Sequence, residues 1–158
     1  MGDKKLVAFF SAGGVTAGIA RKIVAKTGAD IFEIAPVEEY TAADLDWTDP
    51  ESRTSIKVRS EDTRPPLAEK LESLDGYDTV FLGFPIWWYR EPRIVDTFIE
   101  SCDVSGKKIV LFATSGMSGF GDTKKFVSKI VPTAKVEETF VMHGDCSESE
   151  LASIVARG

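Results

Sequence analysis

The segment that most constrains this chain runs from Leu6 to Ala20 and joins a strand, a turn of small residues and a helix. The five residues from Leu6 to Phe10 are all apolar, without the alternation of a strand that has one face in water. We therefore expect both faces of this strand to be covered, as in a parallel sheet. Beyond the turn, Ile19, Ile23 and Val24 recur at helical spacing. A strand followed at once by an amphipathic helix predicts an α/β fold.

The turn between this strand and this helix has the composition of a phosphate-binding loop. Gly13 and Gly14 allow the backbone to approach a ligand closely, and the N–H groups and dipole of the helix start favour an anion. Ser11 and Thr16 add hydroxyl donors. The alternative interpretation is that the small residues only permit tight packing of helix on strand, with a hydroxyl residue capping the helix.

Two well-known nucleotide-binding patterns are missing from this turn. No lysine follows Gly14, which disfavours the loop that binds nucleoside triphosphates. The Gly-x-Gly-x-x-Gly pattern is missing as well, which disfavours a dinucleotide site, although Glu33 stands near the position of its acidic residue.

The rest of the chain repeats the alternation of strand and helix. Four further apolar or alternating segments are predicted as strands: Asp30–Ile34, Thr79–Phe84, Lys108–Ala113 and Lys135–Met142. Helices are predicted after Pro65-Pro66, after Pro92, after Asp122 and from Ser147 to Ala156. Five strands alternating with five helices predict a doubly wound parallel sheet of order 2-1-3-4-5 with helices on both faces, in one domain that covers residues 1–158.

Local signals support several ends of these elements. Thr27-Gly28 is typical of a helix end with a left-handed cap, and Ser147 with Glu150 forms a capping-box pattern. Asp75 to Asp78 is predicted as a turn. The polar segment from Val37 to Arg64 is predicted as a solvated insertion over a sheet edge, with a functional or mobile loop as the alternative.

Charge and composition limit the kinds of partner. The net charge is −6 and no basic cluster is present, which argues against nucleic acid and anionic membranes and favours protein partners with basic surfaces. No apolar run has the length of a membrane span or of a signal-peptide core, so a cytoplasmic location is expected. Cys102 and Cys146 lack metal-ligand spacing and are interpreted as free thiols, and His143 has no partner motif, so no metal site is predicted.

The loops after the first, third and fourth strands should leave the same edge of the sheet side by side. Trp87, Trp88 and Tyr89 stand in the second of these loops, where aromatic side chains are costly unless a flat apolar group covers them. The third loop is rich in glycine and serine and could bond the polar edge of such a group. A phosphate, a flat ring and a connecting chain match flavin mononucleotide (FMN). The alternative is that the tryptophans fill the core or form a subunit interface.

Three segments of the chain resemble motifs of the flavodoxin family: residues 10–16 its phosphate loop, and residues 83–88 and 114–119 the ring loops of short flavodoxin-like proteins. By this resemblance the FMN phosphate would be held by Ser11, Gly13, Gly14, Val15 and Thr16. The ring would be flanked by Pro85, Ile86, Trp87 and Trp88. Its other side would be lined by Thr114, Ser115, Gly116, Ser118 and Gly119.

The chain departs from the family pattern at two positions. Gly13 stands where the phosphate loop usually has a hydroxyl residue, so one donor is lost and weaker binding is expected. Tyr89 stands where many relatives have glycine after the two tryptophans.

The resemblance implies a protein, monomeric or weakly dimeric, that carries electrons between redox partners through non-covalent FMN and needs no catalytic residue of its own. The alternative is an FMN-dependent oxidoreductase that passes hydride from NAD(P)H to a quinone or another small acceptor. A domain of this fold without flavin ranks third. A response-regulator receiver would need aspartates where Phe9, Phe10 and Phe84 stand, and a small phosphatase would need a cysteine loop after the first strand.

Overall fold

A five-stranded parallel sheet organises the computed structural model, which describes residues 4–10, 15–35, 67–68, 76–86, 93–101, 104, 106–115, 123–142 and 147–157. Its strands, in the order of the chain, are β1 Lys4–Phe9, β2 Asp30–Glu33, β3 Tyr77–Pro85, β4 Lys108–Thr114 and β5 Lys135–Met142. They pair in the order β2-β1-β3-β4-β5, every pair parallel. The predicted sheet order is confirmed.

Four helices accompany the sheet within the described part of the chain: α1 Val15–Thr27, α2 Arg93–Ser101, α3 Thr123–Ile130 and α4 Glu148–Arg157. The helix predicted after Pro65-Pro66 falls mostly outside the described residues, and the segment 37–64 falls wholly outside them. Of the predicted turn Asp75 to Asp78, Gly76 is a turn residue, whereas β3 already begins at Tyr77; Asp75 lies outside the described residues.

Two predicted helix ends are confirmed in detail. The Ser147 N–H donates to Glu150 Oε1 at 2.9 Å, and the Glu150 N–H donates to Ser147 Oγ at 3.2 Å. This reciprocal pair satisfies two N–H groups that the first turn of α4 leaves without intrahelical acceptors. At the other end of the chain, Gly28 follows α1 with a φ of +70°, and its N–H donates to the Val24 carbonyl at 2.8 Å.

Each face of the sheet carries its own core, which explains why β1, β3 and β4 read as continuous apolar runs. On one face, which we call the α2 face, Leu6, Leu82 and Leu111 pack with α2 residues such as Phe98. On the opposite face, which we call the α1 face, the buried residues come from four strands, from α1 and α4 and from the residue after Gly28: Val7, Phe9, Phe81, Val110, Phe112, Met142, Ala17, Ile19, Ala20, Ile23, Leu151, Ile154 and Ala29.

At the amino edge of the sheet, the Tyr77 hydroxyl donates to the Asp30 carboxylate across β1. This hydrogen bond raises the pKa of Tyr77 above its ordinary value, with smaller contributions from burial and from the charge of Asp30. The hydrogen bond to Asp30 needs the neutral phenol. Its contribution to the free energy of unfolding is therefore fully present below the unfolded-state pKa of about 10 and is lost as the pH rises through the folded-state pKa.

We therefore expect the free energy of unfolding to fall more steeply above about pH 10 in the wild type than in Tyr77→Phe, which has no phenolic proton to lose. Urea denaturation at about pH 8 and about pH 11 measures this difference. Identical alkaline losses in the two proteins would contradict the assignment.

Candidate functional site

The loops predicted to converge do leave the sheet side by side. β1 ends at Phe9, β3 at Pro85 and β4 at Thr114, all on the carboxyl edge of adjacent strands. The register places Gly83 beside Phe9 and Thr114 beside Pro85. Pro85 and Thr114, predicted as loop residues, are therefore the last residues of their strands, and the loops begin one residue later.

The start of α1 faces this edge directly behind the loop that follows β1. The first N–H groups of a helix have no intrahelical acceptors and lie at the positive end of its dipole, so an anion is favoured there. The first turn of α1 carries no acidic side chain that would oppose an anion. Val15 is 47% exposed, whereas Thr16 beside it is only 2% exposed. Val15 thus stands at the surface of the site and Thr16 beneath it.

A buried hydrogen bond joins the start of α1 to the end of β4. The hydroxyl oxygens of Thr16 and Thr114 lie 2.9 Å apart, and Thr114 is only 7% exposed. The two residues are 98 positions apart in sequence. Two of the predicted binding residues, one from the phosphate loop and one from a ring loop, are therefore in direct contact.

The main chain around Thr114 connects this contact to the other strands. The Thr114 carbonyl accepts a hydrogen bond of 2.8 Å from the N–H of Ile86, at the base of the loop after β3. The next N–H, that of Ser115, donates to the Met142 carbonyl at the end of β5 at 3.0 Å. Thr114 thus bonds to the start of α1, behind the first loop, and to the base of the second loop, and it is the last residue before the third loop.

Six of the predicted site residues lie in the described part of the chain: Val15, Thr16, Pro85, Ile86, Thr114 and Ser115. All six lie at the carboxyl edge. The other eight lie outside the described residues and remain predictions: Ser11, Gly13, Gly14, Trp87, Trp88, Gly116, Ser118 and Gly119. Cys102, Cys146 and His143 also lie outside them.

Gly83 has a role beneath this edge that sequence reasoning did not assign. A Cβ atom at Gly83 would lie less than 3.0 Å from three carbon atoms of the buried Phe112 ring. The ring occupies the space that a side chain would need, on the α1 face of the sheet. A glycine inside an otherwise apolar strand is a signal of such close packing.

No group of three or more His, Cys, Asp or Glu side chains in the described part of the chain could hold a metal ion. None of its helices is long and apolar enough to cross a membrane.

A doubly wound sheet of order 2-1-3-4-5, with the loops after β1, β3 and β4 leaving it at one edge, defines a flavodoxin-like fold. The family model for flavodoxin matches the chain over residues 4–157, and the chain belongs to the flavodoxin family.

Solved structures agree with this assignment. A candidate flavoprotein from Bacteroides uniformis is 42% identical, with a TM-score of 0.90 over 96% of this chain and 97% of that one. One from Bacteroides eggerthii is also 42% identical, with a TM-score of 0.87 over 94% of each chain. A flavoprotein of Lactobacillus acidophilus, solved in complex with FMN, shares the fold at 16% identity, with a TM-score of 0.65 over 85% of this chain and 90% of that one. None of the curated proteins compared matches the chain.

Proposed function

We propose that this protein carries electrons between redox partners through a non-covalently bound FMN. The observation that carries the proposal is the meeting of three loop bases around Thr114, beside the start of α1. FMN is the cofactor supported by membership of the flavodoxin family and by the FMN complex of the Lactobacillus acidophilus protein. The electron chemistry belongs to the flavin, and the protein sets its potential and its access.

The described residues fit the two ends of this cofactor. The N–H groups at the start of α1 and the Thr16 hydroxyl match a phosphate, which accepts hydrogen bonds only. At the base of the ring loops, Ile86 is partly buried against the core and offers apolar surface. The side chains at this edge of β1, β3 and β4 are apolar or hydroxyl groups, which suits binding of a flat ring with a polar rim.

The net charge of −6 favours redox partners with basic surfaces, because long-range attraction speeds the encounter of oppositely charged proteins. We propose protein partners on this ground, rather than nucleic acid or a membrane surface. A monomer or weak dimer would leave the carboxyl edge accessible to them.

The visible absorption spectrum of the purified protein tests the proposal, recorded before and after addition of excess FMN and gel filtration. Flavin absorbance that remains with the protein would support it, and a protein that retains no FMN would overturn it. Steady-state oxidation of NAD(P)H with a quinone by the protein alone would instead identify a reductase. A carrier shows this turnover only when a separate reductase is added.

The aromatic loop provides a second prediction, derived from the sequence alone. We expect Trp88→Ala to weaken FMN binding more than Trp47→Ala, because Trp88 belongs to a segment that resembles a ring loop and Trp47 does not. Loss of a stacking aromatic side chain should cost about 1 kcal/mol or more, which corresponds to at least about fivefold in Kd. Fluorescence titration of both variants with FMN measures this. Equal losses would contradict the placement of the ring.

A further inference from the structure

We infer that Thr114 is a positioning residue for the phosphate end of the flavin and acts through the hydroxyl of Thr16. The inference rests on the proposed function, because it concerns the same cofactor. It assigns to Thr114, at the end of β4, a role different from that of a residue lining the ring. Its starting point is the 2.9 Å contact between the two hydroxyl oxygens.

Burial makes this contact a strong constraint on Thr16. Both residues are less than a tenth exposed, so bulk water does not compete for their hydroxyl groups. Threonine is stiff at χ1 because two heavy atoms branch from Cβ. A hydrogen bond to a neighbouring strand therefore fixes the direction in which the Thr16 hydroxyl points.

The protons of the two hydroxyl groups determine how the pair would meet a phosphate. Each hydroxyl has one proton to donate and two lone pairs to accept, and one of the two protons lies in the mutual bond. A phosphate oxygen only accepts, so a bond from Thr16 to it requires the Thr16 proton. The mutual bond must then be donated by Thr114 to Thr16. Thr114 would thus hold Thr16 in the state in which it can donate.

The role of the Thr114 hydroxyl can be separated from that of the Thr114 main chain. Its carbonyl accepts from the Ile86 N–H, and this bond does not involve the side chain. Thr114→Val removes the hydroxyl and keeps the branched shape, so the hydrogen bond to Ile86 at the base of the loop after β3 remains.

The chain also offers a matched control in Thr79, which is 5% exposed in the same sheet. Thr79 lies six residues before Pro85 in β3, about 20 Å from the carboxyl edge.

The test compares FMN with riboflavin, which carries the same ring without the phosphate. We expect Thr114→Val to raise the Kd for FMN about fivefold, as for the loss of one neutral hydrogen bond. The Kd for riboflavin should stay within a factor of two of the wild-type value, because the substitution removes no contact with the flavin ring. Thr114→Ser keeps the hydroxyl and should restore FMN binding. Thr79→Val should change neither Kd.

A double substitution tests whether Thr114 acts through Thr16. Thr16→Val removes the donor itself and should raise the Kd for FMN about 20-fold, in the range of a hydrogen bond to a charged group. Adding Thr114→Val to Thr16→Val should then weaken FMN no further, because the residue to be positioned has already lost its hydroxyl.

Each outcome decides between the interpretations. Equal losses of FMN and riboflavin in Thr114→Val, or additive losses in the double variant, would overturn the inference and assign Thr114 to the ring or to stability alone. A wild-type protein that binds FMN no more tightly than riboflavin would overturn the inference about Thr114 but leave the proposal of flavin binding standing. A wild type that binds neither would overturn the proposed function itself.

Discussion

Replacing Gly83 by alanine is expected to lower the free energy of unfolding by about 3 kcal/mol, at the upper end of the usual cost of overpacking a core. The added Cβ would meet three carbon atoms of the Phe112 ring at less than 3.0 Å. Phe112 is completely buried between the sheet and the helices of the α1 face, so its ring cannot move aside into solvent. The backbone of β3 is held on both sides by the ladders to β1 and β4, so it cannot withdraw freely either.

Urea denaturation followed by circular dichroism measures this loss as a shift of the midpoint at constant slope. The matched control is Gly18→Ala in α1, where a Cβ would meet nothing within 4 Å. Because alanine is the better helix former, the control should gain about 0.5–1 kcal/mol. A Gly83→Ala protein as stable as the wild type would show that the Phe112 ring has another place to go.

The same substitution should also reach the candidate site. Phe112 precedes Thr114 by two residues in β4, so the two side chains point to the same face of the sheet. A displaced ring would push on the end of this strand, where Thr114 contacts Thr16 at the start of α1. We therefore expect Gly83→Ala to bind FMN more weakly even at temperatures where it remains folded.

Most of the fold could be predicted from the sequence because its signals are local. The apolar runs of β1, β3 and β4 are continuous since both faces of these strands are buried, whereas β2 is short and largely exposed because it lies at an edge. The caps at Gly28 and Ser147 depend on neighbours within four residues. Strand order followed from the general rule for doubly wound sheets of this length, and not from any single residue.

The candidate site could be predicted only as a set of loops. Their convergence follows from the topology, which places the carboxyl ends of β1, β3 and β4 together. The contact between Thr16 and Thr114 could not be predicted, because no local pattern encodes a hydrogen bond between residues 98 positions apart. It depends on the register of β4, which is fixed by the ladders to β3 and β5, and on the position of α1, which packs on the α1 face.

Replacing Phe98 by alanine in the wild-type protein should lower the free energy of unfolding by about 3–5 kcal/mol, as expected for a buried phenylalanine. Phe98 lies in α2, is 0% exposed, and packs in the core of the α2 face. Its ring stacks on Phe32 of β2 with 5.5 Å between the ring centroids. The substitution would leave a cavity and remove an aromatic pair that anchors the edge strand. Urea denaturation measures the loss, and Phe98→Leu, as a conservative control, should lose less than half as much stability as Phe98→Ala.

The two substitutions together separate stability from the organisation of the site. Phe98 lies on the α2 face, whereas Gly83 adjoins Phe112 on the α1 face, where Thr16 meets Thr114. At low temperature, where both variants remain folded, Phe98→Ala should keep the wild-type ratio of FMN to riboflavin affinity in spite of its larger loss of stability. Gly83→Ala should lower that ratio. If Phe98→Ala lowered it as well, preference for the phosphate would follow global stability, and the role given to the α1 face would be wrong. If the ratio of FMN to riboflavin affinity falls only in Gly83→Ala, the packing beneath β4 holds the phosphate end of the site in place.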